Sequence, residues 1–385
     1  MFAIPLAWLQ LKREKMRLLI ALAGIGFAVI LMFIQLGFQD ALFDSAITMH
    51  KELQGDIFLI SPQSTSMIAM KNFSQRRLYQ TLGYNGVESI SPIYLDFALW
   101  KNPDNQRTRG ILVIGFDPSR PIFSRELVPD LTPIRLPDVV LFDEKSRAEF
   151  GSIPKMFATG KPVVTEAAGR RLTVGGLFAL GASFGADGNI ITSDTNFLRI
   201  FSRRTSGMID VGMVTLKPGS DLDSLIKQMR RDLQDPFEDV KVLSKVEFIE
   251  FERDYWRSST AIGFIFTLGT AIGFLVGTVI VYQILYTDIT DHLAEYATLK
   301  AMGYRNFYLL TLVFQEAVIL SILGFIPGFL LSLGLYNLTR NATSLPIAMT
   351  TDRAILVLCL AMTMCIISGA IAVRKVQDAD PADIF

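Results

Sequence analysis

The pentapeptide Gly181-Ala182-Ser183-Phe184-Gly185 fits G-x-S-x-G, the turn that exposes a nucleophilic serine in many hydrolases. That chemistry needs a helix directly after the serine, and a histidine later in the chain to take its proton. Here the chain continues as ADGNIIT, a turn and a strand, and the later histidine, His292, lies beyond a long apolar run. The pentapeptide therefore reads as a glycine-rich loop. The chain has two histidines, His50 and His292, and two cysteines, Cys359 and Cys365, which is little material for a metal site or a catalytic triad. His50 is expected on the solvated face of a helix. No G-x-x-x-x-G-K-[ST] occurs, so ATP is not held in a P-loop here, and no cofactor is expected. Glu316 remains: an acid inside an apolar run of 30 residues. Such an acid is a functional candidate by default. A lone acid makes a poor proton relay, so a structural role is favoured, either snorkelling to the cytoplasmic face about two turns away or bonding a neighbouring helix near Gln315.

The elements that must position these residues are first of all apolar runs. Four are long enough, at roughly 20 residues, to cross about 30 Å of hydrocarbon: Leu18–Phe38, Ala261–Tyr286, Phe307–Tyr336 and Ala354–Val373. The first, at 21 residues, exceeds the core of a signal peptide and has no small-x-small cleavage site after it, so it is retained. Lys12, Arg13, Lys15 and Arg17 precede it, which places residues 1–17 in the cytoplasm. Arg374 and Lys375 follow the last run, in agreement with a cytoplasmic tail over residues 374–385. Residues 287–306 are then a cytoplasmic loop, and 39–260 and 337–353 face outward. Gly269, Gly273 and Gly277 place small residues on one face of the second span, suited to close helix packing within or between subunits. Half the residues are hydrophobic and 19% are charged, and mean hydropathy is +0.38. Lys+Arg and Asp+Glu balance at 37 each, which argues against a nucleic-acid partner.

The outward region has its own grammar. Leu42, Ala46, Met49 and Leu53 recur at helical spacing after the first span, with Gly55 placed to end the run. Val246, Ile249, Phe251 and Tyr255 do the same before the second, which reads equally as two stalk helices continuous with the spans or as ordinary juxtamembrane turns covering the lipid surface. Strands are expected over Asp56–Ser61, Val87–Trp100, Arg109–Asp117, Val211–Gly219 and Val240–Ser244, and helices over Phe73–Leu82 and Ser220–Leu233, the latter capped by Ser220. Early and late parts share this β-α-β order and are expected to pair in one sheet. Residues of about 118–208, richer in Pro and Gly, read as an inserted subdomain. The fold class is an α-helical membrane protein with four transmembrane helices and a large mixed α/β extracytoplasmic domain between spans 1 and 2.

The segment Thr287–Arg305, TDITDHLAEYATLKAMGYR, joins the second and third spans. Leu293, Tyr296, Ala297 and Ala301 recur at helical spacing and Gly303 is placed to stop the helix. A short amphipathic helix between two spans is a docking element on which a motor protein would push.

The text EYATLKAMGYRNFYLLTLVFQEAVILSILGFIPGFLLSLG (Glu295–Gly334) resembles the signature of the MacB/FtsX-like permeases of ABC transporters: an acid opening a coupling helix, then a span with a glutamate and repeated glycines. One long outer domain between the first two of four spans, and the tail Asp380-Pro381-Ala382, resemble that family too. Within it the opening PLAWLQLKREKMRLLIALAGIGFAVILMFIQLGFQDALF is most similar to the DevC-type branch, linked to glycolipid export.

That resemblance implies a homodimeric permease subunit in a bacterial inner membrane, with no catalytic or nucleotide site of its own. Each chain would bind a separate ABC ATPase subunit through Leu293, Glu295, Tyr296, Leu299, Lys300, Met302 and Gly303. The outer domains would drive a lipid or glycolipid towards a membrane-fusion adaptor protein and an outer-membrane channel. A regulator or lipoprotein extractor of FtsX or LolC/E type is the alternative, and a membrane-anchored receptor or enzyme is a third.

Overall fold

The computed structural model describes residues 15–234, 238–292, 298, 302, 306–343 and 345–378. In chain order, α1 (Lys15–Ala46) and α2 (Thr48–Glu52) lead into β1 (Ile57–Ile60), β2 (Phe73–Ser74) and α3 (Gln75–Gln80). The long strands β3 (Val87–Lys101) and β4 (Thr108–Phe116) precede β5 (Val139–Asp143), α4 (Ile153–Ala158), β6 (Val163–Ala167), β7 (Arg170–Phe178), β8 (Asn189–Ser193), α5 (Asp194–Ile200) and β9 (Met208–Ile209). Next come β10 (Val211–Leu216), α6 (Leu222–Met229), β11 (Lys241–Ser244) and α7 (Lys245–Asp254), then α8 (Ala261–Asp291), α9 (Asn306–Thr343) and α10 (Thr351–Asp378). The chain divides into two compact units, one of residues 1–41 and 261–385, the other of residues 42–260.

In the second unit, nine strands among the described residues form one sheet in the order β11-β1-β10-β3-β4-β8-β5-β7-β6. All four residues of β1 are buried, because both faces of the sheet are covered there. Ile57 and Leu59 join a core with Leu78 of α3 and Leu225, Ile226 and Met229 of α6. Phe58 and Ile60 join another with Met49, Leu53 and Phe248. A strand covered on both sides reads as a continuous apolar run, which is why FLI shows no alternation. The far end of β3 also pairs with β6, Trp100 opposite Ala167 and Lys101 opposite Glu166, so β3, β4, β8, β5, β7 and β6 close into a barrel. Its interior holds Trp100 against Phe142, with ring centres 5.4 Å apart. The stretch 118–208 thus completes the sheet that β3 and β4 begin.

Several local expectations need correction. The helix expected over Phe73–Leu82 is α-helical over Gln75–Gln80. The cap of α6 is Asp221, whose carboxylate accepts the Ser224 N–H, and not Ser220, whose hydroxyl bonds Gly86 O instead. The first stalk ends at Glu52, not Gly55; Gly55 lacks a side chain because a Cβ there would lie 2.3 Å from Met213 Cγ. The return stalk is not continuous with its span. After α7 comes a π-helical turn, Tyr255–Ser259, and Thr260 is extended (φ −117°, ψ 154°) before α8. Ser258 and Thr260 donate their hydroxyls to Asp254 O and Trp256 O, bonds that compete with the helical ladder.

In the first unit, α1, α8, α9 and α10 share one apolar core of residues such as Ile25, Met32, Leu285, Val313, Leu320 and Met364. Each of these four helices is long and apolar enough to cross a membrane. The glycine stripe of α8 faces α1: a Cβ on Gly269 would lie 2.5 Å from Gln35 Cδ, and one on Gly277 would meet Ala28 Cβ at 2.7 Å and Met364 Sδ at 2.6 Å. Gly273 has ordinary contact with Leu31 and Met32. Gly324 and Gly328 of α9 approach Ile25 and Val29 in the same way. α1 is thus packed against glycine faces on two helices.

Candidate coupling site

Of the residues expected to carry coupling, Leu293, Glu295, Tyr296, Leu299, Lys300 and Gly303 lie outside the described residues. Met302 is described: its N–H donates to Thr298 O at 3.0 Å, a helical i to i−4 bond, and its side chain is 63% exposed. An exposed methionine in a short loop between apolar helices is an adaptable contact surface.

The end of α8, which leads into this loop, is tied to α1 by charge. Arg17 of α1 bonds Asp288 Oδ1 of α8 at 3.3 Å and also pairs with Asp291. His292 N–H donates to Asp288 O, and its ring nitrogen lies 3.6 Å from the same carboxylate. Glu316 of α9 is 3% exposed. Sequence spacing did not find the tie between Arg17 and Asp288, although each residue flanks an apolar run. At the other end of α1, Asp40 accepts two bonds from Arg353, at 2.6 and 3.2 Å. Arg353, 6% exposed, also donates to Ala348 O at 2.7 Å and lies over the Tyr336 ring, whose hydroxyl donates to Phe33 O. Arg17 and Asp40 stand roughly 35 Å apart along the helix at about 1.5 Å per residue, close to the ~30 Å thickness of hydrocarbon.

In the outer unit the two stalks meet at His50 and Glu252. His50 is fully buried against Phe248, ring centres 4.5 Å apart, which corrects its expected place on a solvated face. Met49 and Leu53 flank it, and α7 covers the face that the sequence left open to water. Burial pushes its pKa down to about 3, and neither ring nitrogen has a hydrogen-bond partner among the described residues. Glu252 of α7 lies 3.6 Å from His50 Nε2 and accepts the Met67 N–H at 2.6 Å and the Trp256 indole N–H at 2.8 Å. Burial, partly offset by those two bonds, pushes the carboxyl up to about 7. With His50 neutral, the contact between the two is not an ion pair at neutral pH.

Ser183 is not a nucleophile in this arrangement. Its hydroxyl accepts the Ala186 N–H at 3.1 Å within its own loop, and β8 follows in place of a helix. Among the described residues no group of three His, Cys, Asp or Glu side chains could hold a metal ion.

Residues 18–232 match the MacB-like periplasmic core domain, more than half of the chain, and residues 261–381 match the FtsX-like permease C-terminal domain. No curated protein matches the chain. Among solved structures, the periplasmic region of MacB from Actinobacillus actinomycetemcomitans is 10% identical (51% of this chain, 91% of that one, TM-score 0.36). The extracellular domain of the noncanonical ABC-type transporter YknZ from Gram-positive bacteria is 13% identical (49% of this chain, 100% of that one, TM-score 0.33). A permease-protein domain from Porphyromonas gingivalis is 16% identical (49% of this chain, 89% of that one, TM-score 0.28). On the strength of the two family matches, the chain belongs to the MacB/FtsX-like family of ABC-transporter permeases.

Proposed function

We propose that this chain is the membrane subunit of a DevC-type exporter in a bacterial inner membrane, working as a homodimer with a separate ABC ATPase. The observation that carries the reading is the FtsX-like match over residues 261–381, which takes in α8, α9, α10 and the loop in which Met302 stands exposed. ATP-driven closure of the ATPase subunits pushes on Leu293, Glu295, Tyr296, Leu299, Lys300, Met302 and Gly303 from the cytoplasm. α8 and α9, which flank that loop, receive the push, and Arg17 holds α1 to α8 through Asp288 and Asp291. The outer domain then drives a lipid or glycolipid from the outer leaflet or periplasm into a membrane-fusion adaptor and an outer-membrane channel. Residues 1–17 and 374–385 lie in the cytoplasm on this reading, and the span boundaries are those of the apolar runs. Four spans per chain make a poor conduit through lipid, which favours mechanical work on an outer-side substrate.

The test is to purify the tagged chain from gently solubilised native membranes and identify its outer-side companions by mass spectrometry. A membrane-fusion adaptor is expected. A cell-wall hydrolase or a lipoprotein carrier in its place would overturn export in favour of regulation or extraction.

A further inference from the structure

The glycine-rich loop that failed as a nucleophile turn has another use. Residues 180–188 join β7 to β8, and their base is bolted to the barrel. The Gly181 N–H donates to Asp143 Oδ2 at 2.8 Å, and Asn189 Nδ2 donates both to that oxygen at 2.8 Å and to Gly181 O at 2.9 Å. The Arg147 N–H donates to Asp187 O at 3.0 Å. The loop is also closed on itself, the Ser183 N–H donating to Ala186 O at 2.8 Å. It is a short rigid arm fixed at both ends.

Its tip reaches both stalks. The Phe184 N–H donates to Ser45 Oγ at 3.2 Å, on the last turn of α1. The Phe184 ring meets Trp256 edge to face, centres 4.8 Å apart at 89°. Trp256 sits in the π-helical turn after α7, and Glu252 fixes its indole. Gly185 makes the approach possible: a Cβ there would lie 2.7 Å from Ile68 Cγ2. Beneath the arm is a cavity of about 20 Å³, lined by Thr48, Met49, Ser183 and Glu252, room for about one water and no slack for sliding.

We propose that loop 180–188 is the latch that passes displacement of the two stalks to the barrel, with Phe184 as the positioning residue that engages Ser45 and Trp256 together. The source of the displacement rests on the proposed function; the latch itself is a property of the outer domain. An aromatic pair and one backbone bond make a contact that holds geometry without a continuous helix, which suits a return stalk broken at Thr260.

The test is a spin-label distance measurement on the full chain, with Cys359→Ser and Cys365→Ser, and labels at Leu136→Cys near β5 and Val246→Cys on α7, both exposed sites. The unaltered loop should give one narrow distance distribution. Phe184→Ala should broaden it at least about twofold, and Gly185→Val, which pushes the arm off Ile68, should do the same. Phe184→Tyr keeps the ring and should stay narrow. Distributions as narrow in Phe184→Ala and Gly185→Val as in the unaltered chain would overturn the latch. Failure of the functional reading shows elsewhere, as absence of an ATPase partner, and leaves these distances unchanged.

Discussion

His50 and Glu252 oppose each other as titrating groups. Burial raises Glu252 from 4.5 to about 7, so the native state keeps a proton that the unfolded chain releases. Its contribution to stability is full below about 4.5 and lost as pH rises through 7. Burial lowers His50 from 6.5 to about 3, so its contribution is full above 6.5 and lost as pH falls through 3. Between 4.5 and 6.5 the two slopes cancel in the unaltered protein. Glu252→Gln should therefore lower the thermal midpoint, relative to the unaltered chain, progressively as pH falls from 6.5 to 4.5, and His50→Gln should lower it as pH rises from 4.5 to 7. Parallel profiles for all three proteins would contradict the assignment. The sequence hid this pair because each residue looks ordinary in its own helix. His50 is one polar position between Met49 and Leu53, and Glu252 one acid among several in FIEFERD. Only packing of α2 against α7, elements from opposite ends of the outer region, buries both.

Helices and strands were more legible than their joints. Apolar composition alone located α1, α8, α9 and α10, and apolar runs bounded by turns located β1, β3, β4, β10 and β11, because both signals are local. Closure of the barrel through Trp100 and Ala167 was not legible, since the choice of a partner strand more than 60 residues away is not a local signal. The break at Thr260 was written as Ser258-Ser259-Thr260, hydroxyl residues that bond the preceding turn, but helical spacing of Val246, Ile249 and Phe251 masked it. The glycine stripe of α8 left two partners open, another subunit or another helix of the same chain. Its packing on α1 makes a sharp contrast available. Gly277→Leu must displace Ala28 and Met364 and should cost about 1–3 kcal/mol by overpacking. Gly334→Leu, with nothing among the described residues within 4 Å of its Cβ position, should leave the thermal midpoint in detergent nearly unchanged. Equal midpoints for the two variants would mean that α1 and α8 are not packed this way.

For the molecule as a whole, the division of labour is the question: four helices long and apolar enough to cross a membrane carry a barrel-bearing domain inserted between the first two. The family places it among ABC permeases, and the proposed entry point is the loop between α8 and α9, where Met302 is exposed. Charge ties hold α1 to α8 through Arg17 and Asp288, and to α10 through Asp40 and Arg353, near opposite ends of the helix. The measurement that tests this most directly is the ATP hydrolysis and the ATPase subunit recovered with the tagged chain from native membranes, compared with the same chain carrying Leu299→Glu and Met302→Glu. Recovery with the unaltered chain, and loss of at least about tenfold with the double variant, is the predicted result. An ATPase bound equally by both chains, or by neither, would contradict the account.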